Sequence, residues 1–158
     1  MDYQSLIPVV GTVLSIRRQS SDCCSQLIAL RTENGPVNFF LSSQTLVLGS
    51  VRIRPGMRIA ACYDASLPVP LIFPPQYQAQ LIAALRPDEQ AYIGYFNSDL
   101  TSMNQDLSLN IARSTTILTS NGQGFDCTPA NHVLLVCYTA TTRSLPPQTT
   151  PRKIFVLC

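Results

Sequence analysis

The chain contains 158 residues, of which 46% are apolar and 13% are charged, with a net charge of +2. This composition excludes an intrinsically disordered protein, because such chains combine low apolar content with high net charge, and it gives no sign of a polyanionic partner. The sequence has no run of about 18 apolar residues and no N-terminal signal pattern, which predicts a cytoplasmic protein without membrane insertion.

Apolar residues in the first half come in short runs or in strict alternation, a pattern that is typical of β-strands rather than helices. The cluster 33–36 (ENGP) predicts a turn between two of these strands. Residues 66–76 contain four prolines, which cannot donate ladder hydrogen bonds, so an extended loop is expected there. The predicted strands are 9–18, 26–32, 37–41, 58–63 and 81–85, with a shorter apolar stretch at 46–53.

The second half repeats this pattern with a more polar composition. Residues 106–112 place Leu107, Leu109 and Ile111 on one face of a strand, and the glycines of 121–124 predict a turn. A polar loop that contains prolines follows at 141–151. The predicted strands are 92–97, 106–112, 115–119, 132–138 and 153–157.

Two short words occur in the same order in both halves of the chain. Residues 62–65 (CYDA) correspond to 137–140 (CYTA), and residues 74–76 (PPQ) correspond to 146–148 (PPQ). In each half, a predicted strand leads into the CYxA word, a loop separates it from the PPQ word, and another predicted strand follows. This order predicts an internal duplication.

Five predicted strands in each half, with a meander first, are typical of an OB-like barrel. The sequence therefore predicts an all-β fold of two tandem five-stranded OB-like barrels, and one larger β-barrel or a sandwich stays open as an alternative. The charged stretch 86–89 is the expected domain boundary. The first unit would comprise residues 1–86 with loop 66–76, and the second, diverged unit residues 87–158 with loop 141–151.

Two loop segments carry a resemblance to other proteins. They are residues 63–77, YDASLPVPLIFPPQY, and residues 142–157, TRSLPPQTTPRKIFVL. Both resemble segments of an uncharacterised family of bacterial proteins with tandem OB-like β-barrels, and the resemblance covers most of the chain. It implies the two-barrel architecture and assigns no activity, cofactor or catalytic residue.

The sequence contains no pattern for a phosphate loop, a dinucleotide site, a nucleophile elbow or a zinc protease. His132 is the only histidine and cannot build a site of several histidines. Cys23 and Cys24 are adjacent and lack the spacer with which two thiolates bind one zinc ion. The six cysteines are expected to be mostly reduced and buried. We therefore expect no enzyme, no catalytic residue, no cofactor and no metal.

The most distinctive surface is expected in the first loop. Leu71, Ile72, Phe73 and Tyr77 belong to an apolar series on a segment that prolines stiffen, which lowers the entropic cost of docking. Such a series needs to be covered. Either the chain itself covers it, or a protein partner does, including a second copy in a homodimer. The sequence thus predicts a non-catalytic binding or protein–protein interaction module with these four partner-binding residues.

Single-stranded nucleic-acid binding by the first barrel is the alternative function. OB-like barrels stack bases on aromatic rings beside a basic groove, and residues 1–86 hold seven arginines against four acidic residues. Phe39 and Phe40 are adjacent on a strand, so at least one of them is expected in the core. The candidate nucleic-acid-binding residues are Phe39, Tyr63, Arg52, Arg54 and Arg58.

Overall fold

The computed structural model describes residues 3–19 and 22–158. Strands account for 52% of the chain and helix for 2%, which confirms the predicted all-β class. Internal contacts divide the chain into two compact units, residues 5–87 and residues 88–158 together with 3–4. The division after residue 87 lies one residue beyond the boundary predicted from the sequence.

The described part of the first unit contains seven strands and a 3-10 turn at Leu48–Ser50. In the second strand Ile28 and Leu30 are buried while their neighbours are more exposed, as expected for a strand with one face on a core. The strands are β1 (Leu6–Gln19), β2 (Asp22–Thr32), β3 (Gly35–Ser42), β4 (Leu46–Val47), β5 (Arg58–Asp64), β6 (Gln76–Gln78) and β7 (Leu81–Leu85). Core residues include Val13, Ile28, Leu30, Phe39, Ile59, Ala61 and Ile82.

The long strand β1 organises the sheet of the first unit. Its first half, from Leu6 to Thr12, pairs antiparallel with β5, and its second half, from Thr12 to Gln19, pairs antiparallel with β2. Strands β2 and β3 continue the meander, β5 pairs antiparallel with β7, and the short strands β4 and β6 lie parallel to β7 and β3. The order is β4-β7-β5-β1-β2-β3-β6, a mixed sheet that is not a closed barrel.

Six strands form the described part of the second unit. They are β8 (Gln90–Phe96), β9 (Ser108–Leu109), β10 (Thr116–Thr119), β11 (His132–Tyr138), β12 (Gln148–Thr149) and β13 (Lys153–Leu157). Strand β11 pairs antiparallel with both β8 and β13, and β10 lies parallel to β13. Strands β9 and β12 form a separate parallel pair. The core includes Phe96, Leu107, Leu109, Leu134, Val136, Ile154 and Val156.

The prediction of five strands in each unit is wrong. Strands β6 and β12 begin at the Gln of each PPQ word, in segments that the prolines led us to interpret as loops or loop ends. The predicted strand 106–112 is paired only at Ser108–Leu109. The Oγ of Ser102 accepts hydrogen bonds from the backbone N–H groups of Asp106 and Leu107, both at 3.0 Å, and this holds residues 102–107 in a turn. Three other strands, 81–85, 132–138 and 153–157, have the predicted bounds.

The two units pair their strands at the same distance from the repeated words. Cys62 of the first CYxA word pairs with Leu81, and Cys137 of the second pairs with Lys153. Both partners lie five residues after the Gln of the PPQ word. The Gln of the PPQ word is also the first residue of a parallel strand pair in both units. Gln76 pairs with Asn38, and Gln148 pairs with Ser108.

Side-chain hydrogen bonds follow the same correspondence. The Oγ1 of Thr45, just before β4, donates to the carbonyl of Ala79 at 2.8 Å. The Oγ1 of Thr115, just before β10, donates to the carbonyl of Pro151 at 2.7 Å. Both threonines therefore bind the short strand to the residue that lies two positions before β7 or β13.

A buried ion pair distinguishes the second unit. Glu89 is 1% exposed, and its carboxylate accepts hydrogen bonds from Nε and Nη2 of Arg152, each at 2.7 Å. Such bidentate pairs are among the strongest polar contacts in proteins. Hydrogen bonding to Glu89 raises the pKa of Arg152 above its ordinary value. Glu89 belongs to the charged stretch 86–89, within which the chain divides into its two units, and its side chain is buried in the second unit.

The first unit has uncharged side chains at the matching positions. On the other edge of the strand, Cys62 pairs with Pro8 of β1 and Cys137 pairs with Ala91 of β8. Leu6 lies two residues before Pro8, just as Glu89 lies two residues before Ala91. The backbone N–H of Gln80 donates to Cys62 at 2.8 Å, as that of Arg152 donates to Cys137 at 3.1 Å. Gln80 therefore matches Arg152, and Leu6 matches Glu89. The same backbone arrangement holds Leu6 and Gln80 in the first unit and an ion pair in the second.

We expect Glu89→Ala to lower the free energy of unfolding by about 3 kcal/mol, because it leaves the Arg152 guanidinium partly buried and without its carboxylate. Denaturant unfolding followed by circular dichroism measures the change. Glu33→Ala, at an exposed turn, is the control and should change stability by less than about 0.5 kcal/mol. The double variant E89L/R152Q copies the first unit and should be more stable than the sum of its single variants predicts. Simple additivity would contradict this account.

Candidate functional site

The proline-rich segment 66–76, called the first loop below, is firmly attached at its start. The backbone N–H of Ala65 donates to Ser5 at 2.9 Å. The Oδ1 of Asp64 accepts hydrogen bonds from the backbone N–H of Ser66 at 2.9 Å and from its Oγ at 2.6 Å. Hydrogen bonds from the side chains of Ser66 and Ser5 and from the Ser66 backbone hold the pKa of Asp64 below its usual range. The chain therefore leaves β5 in a defined direction.

The end of the first loop is attached by backbone pairing and by an aromatic stack. The backbone N–H of Asn38 donates to the carbonyl of Pro75 at 2.8 Å, directly before β6 pairs with β3. The ring of Tyr77 stacks on that of Tyr63, with centroids 4.0 Å apart and planes 12° apart, and it also contacts Phe39 at 5.6 Å. Burial, with the neighbouring Tyr77, raises the pKa of Tyr63.

The tip of the first loop exposes large apolar side chains. Leu71 is fully exposed, Phe73 is 81% exposed and Ile72 is half exposed. A depression of about 420 Å³ runs along residues 69–73 and ends at Tyr77. Residues 65–79 include no Asp, Glu, Lys, Arg or His. This surface can therefore bind through apolar contact and shape.

The predicted partner-binding residues occupy two different places in this arrangement. Leu71, Ile72 and Phe73 lie at the exposed tip. Tyr77 is half-buried at the base, where it packs on Tyr63, so it supports the loop from below. Within the described part of the first unit, no residue covers Leu71 or Phe73.

Leu145 in the loop 141–151 was missed by the sequence analysis. It is 96% exposed and directly precedes the second PPQ word, as Phe73 precedes the first. The loop around it is closed by polar contacts: the backbone N–H of Gln148 donates to Oγ1 of Thr142 at 2.9 Å, and the Oγ1 of Thr149 donates to Ala140 at 2.7 Å. The repeated word was the signal that could have identified Leu145.

The structure does not gather the predicted nucleic-acid-binding residues into one surface. Phe39 is fully buried in the core, so its prediction as a base-stacking ring is wrong. Tyr63 offers one face to Tyr77. Arg58 lies on β5 and is partly buried, whereas Arg52 and Arg54 are exposed beside a cavity that neither aromatic residue lines. The arginines and the rings are therefore separated.

The cysteines do not follow the prediction that most are buried. Cys62 and Cys137, the Cys of each CYxA word, are buried, and burial raises the pKa of each thiol to about 12. The remaining four are exposed: Cys23, Cys24, Cys127 and Cys158. None of the six forms a disulfide.

His132 is held by a backbone carbonyl group and an aromatic ring. Its Nδ1 lies 2.8 Å from the carbonyl oxygen of Ala130, and its ring packs edge-on against Phe125 with centroids 5.6 Å apart. Within residues 3–19 and 22–158, no group of three or more His, Cys, Asp or Glu side chains could hold a metal ion. Across the same residues, no helix has the length and apolar character needed to cross a membrane.

No protein-family model matches this chain, and no curated protein sequence matches it.

We expect a thiol reagent at pH 8 to modify four cysteines of the folded protein rapidly. Cys62 and Cys137 should react only on unfolding, because they are buried and a pKa of about 12 leaves about one thiolate in ten thousand at this pH. Absorbance of the released aromatic thiolate counts the groups that react. The control is the protein in concentrated guanidinium, where all six should react. Rapid modification of six thiols in the folded state would contradict the assignment.

Proposed function

We propose that this protein is a non-catalytic protein-interaction module and that the tip of the first loop, Leu71, Ile72 and Phe73, is its binding surface. The observation that supports this proposal most strongly is the exposure of these three adjacent large apolar side chains on a loop held at both ends. Fully burying such a side chain contributes about 1.5–3 kcal/mol. Because the prolines and end contacts restrict the loop, less conformational entropy is lost on binding.

We further propose that the framework is a pair of diverged OB-like units, consistent with the resemblance to an uncharacterised bacterial family. The strand pairing of the first unit supports this proposal. Strands β1, β2 and β3 form a meander, β5 pairs with β1, and β6 and β7 pair with β3 and β5, which is compatible with a partly open Greek-key sheet. The shared registers of the two units support a duplication. Gly11 and Gly94 support it too, since each pairs with the residue three positions before the Cys of its CYxA word.

Gly11 has a physical role in that framework. A Cβ at this position would lie 2.7 Å from the carbonyl oxygen of Arg31, so only glycine allows β1 and β2 to approach where β1 changes partner. A fixed sheet of this kind gives the first loop a rigid base.

A second copy of the chain is the partner that the chemistry of the first loop favours. Two-fold interfaces bring the same patch of both copies together. A charged patch would then oppose its own charge, whereas the loop tip carries no charge and meets itself without repulsion. The apolar depression beside Phe73 also gives an exposed side chain of the other copy a place to insert.

We expect light scattering to detect a dimer and Phe73→Asp to dissociate it, raising the dissociation constant at least about a hundredfold, because each copy would place a carboxylate in an apolar contact. Leu145→Asp is the matched control, since Leu145 is equally exposed beside the same PPQ word of the second unit, and it should leave the dimer intact. A monomer at the highest accessible concentration would contradict self-association. Equal dissociation by both variants would contradict the assignment to the first loop.

A further inference from the structure

A cavity of about 660 Å³ lies in the first unit, away from the first loop. The residues that line it include the apolar Ile16, Leu41 and Ile53 and the polar Gln26, Arg52 and Arg54. Its volume falls within the range of about 300–1,000 Å³ that is typical of small-molecule sites. The cavity therefore combines an apolar interior with two cations.

The segment that carries both arginines is fixed to the sheet. Ile53 is buried between the exposed Arg52 and Arg54, which is the burial pattern of an extended segment, so the two arginines point to the same side. The turn that follows is bound to Val13 of β1, whose carbonyl accepts from the Gly56 N–H at 2.7 Å and whose N–H donates to Met57 at 2.8 Å. The arginines are therefore presented about 7 Å apart on a rigid support.

The positive charge of this cavity is not neutralised within the described chain. None of the described residues that line it is acidic. Neither guanidinium forms an ion pair or a hydrogen bond with another described residue. Both groups are thus available to an anion, and guanidinium groups suit the oxygens of carboxylates and phosphates.

The second unit provides an internal comparison. Strand β10 matches β4, because the first residue of each pairs with the first residue of β13 or β7. Counted from these first residues, the positions that match Arg52 and Arg54 are Gly122 and Gly124. There the backbone closes a tight turn in which the N–H of Thr119 donates to Gln123 at 2.8 Å. The cationic cavity is consequently a feature of the first unit alone among these matched positions.

We propose that this cavity binds a small amphiphilic anion. Arg52 and Arg54 hold its carboxylate or phosphate head, and an aliphatic or aromatic group of the ligand packs on Ile16 and Leu41. The site is distinct from the first loop in position and chemistry, so it does not depend on the protein-interaction function.

Titration followed by amide NMR spectra of the ¹⁵N-labelled protein tests this proposal. Hexanoate and hexyl phosphate should shift the amide signals of residues 51–54, Ile16 and Leu41 at saturable concentrations. Acetate and inorganic phosphate should bind more weakly, because they lack the apolar group. Hexylammonium should not bind, because its charge repels the arginines. Comparing hexanoate with hexyl phosphate distinguishes the two head groups.

Arg52→Gln and Arg54→Gln should each weaken binding about tenfold, the loss expected for one charge-assisted hydrogen bond. Arg143→Gln, an exposed arginine of the second unit, is the control and should bind as the wild type does. Binding of hexylammonium as tight as that of hexanoate, or unchanged binding by both cavity variants, would overturn the proposal. A single-stranded oligothymidylate that displaces hexanoate and binds more tightly would also overturn it, in favour of a nucleic-acid backbone.

Discussion

The structure depends on the burial of one central strand in each unit. In β5 the residues from Ile59 to Cys62 are all fully buried, and in β11 the same holds from Leu134 to Cys137. Strands buried on both faces must be paired on both edges, because an unpaired backbone group without water costs free energy comparable to a lost hydrogen bond. Each central strand accordingly has two antiparallel partners. The Tyr that follows, Tyr63 or Tyr138, is only half-buried, and the chain leaves the sheet after it for the loop 66–76 or 141–151.

The strands that could be predicted from the sequence are those with long apolar runs, because such runs identify a buried strand even when its pairing partners are unknown. Strands β7, β11 and β13 have their predicted bounds because most of their residues are buried in one continuous run. Strands of two or three residues, such as β6 and β12, could not be predicted, since they exist through backbone hydrogen bonds to distant residues. Glu89 is the clearest case, because its burial depends on Arg152, 63 residues away. Local composition carries no information about such a partner.

The candidate site was predictable in part for similar reasons. Leu71, Ile72 and Phe73 stood out as an apolar series among prolines, and the structure exposes them. Phe39 was misassigned because neighbouring aromatic residues on a strand face opposite sides and the sequence does not say which side is the core. Leu145 was missed because the polar composition of its loop outweighed its position beside the PPQ word. Position within a repeat is in this case more informative than composition.

The ion pair of the second unit gives the two halves of the chain different responses to temperature. Hydration of charged groups becomes less favourable on heating, so the cost of burying Glu89 and Arg152 falls as temperature rises. Apolar burial such as that of Leu6, at the matching position of the first unit, weakens on cooling. Heating therefore favours the buried ion pair of the second unit relative to the apolar burial of the first, and cooling has the opposite effect. One backbone arrangement thus has two thermal characters, which a single pair of side chains decides.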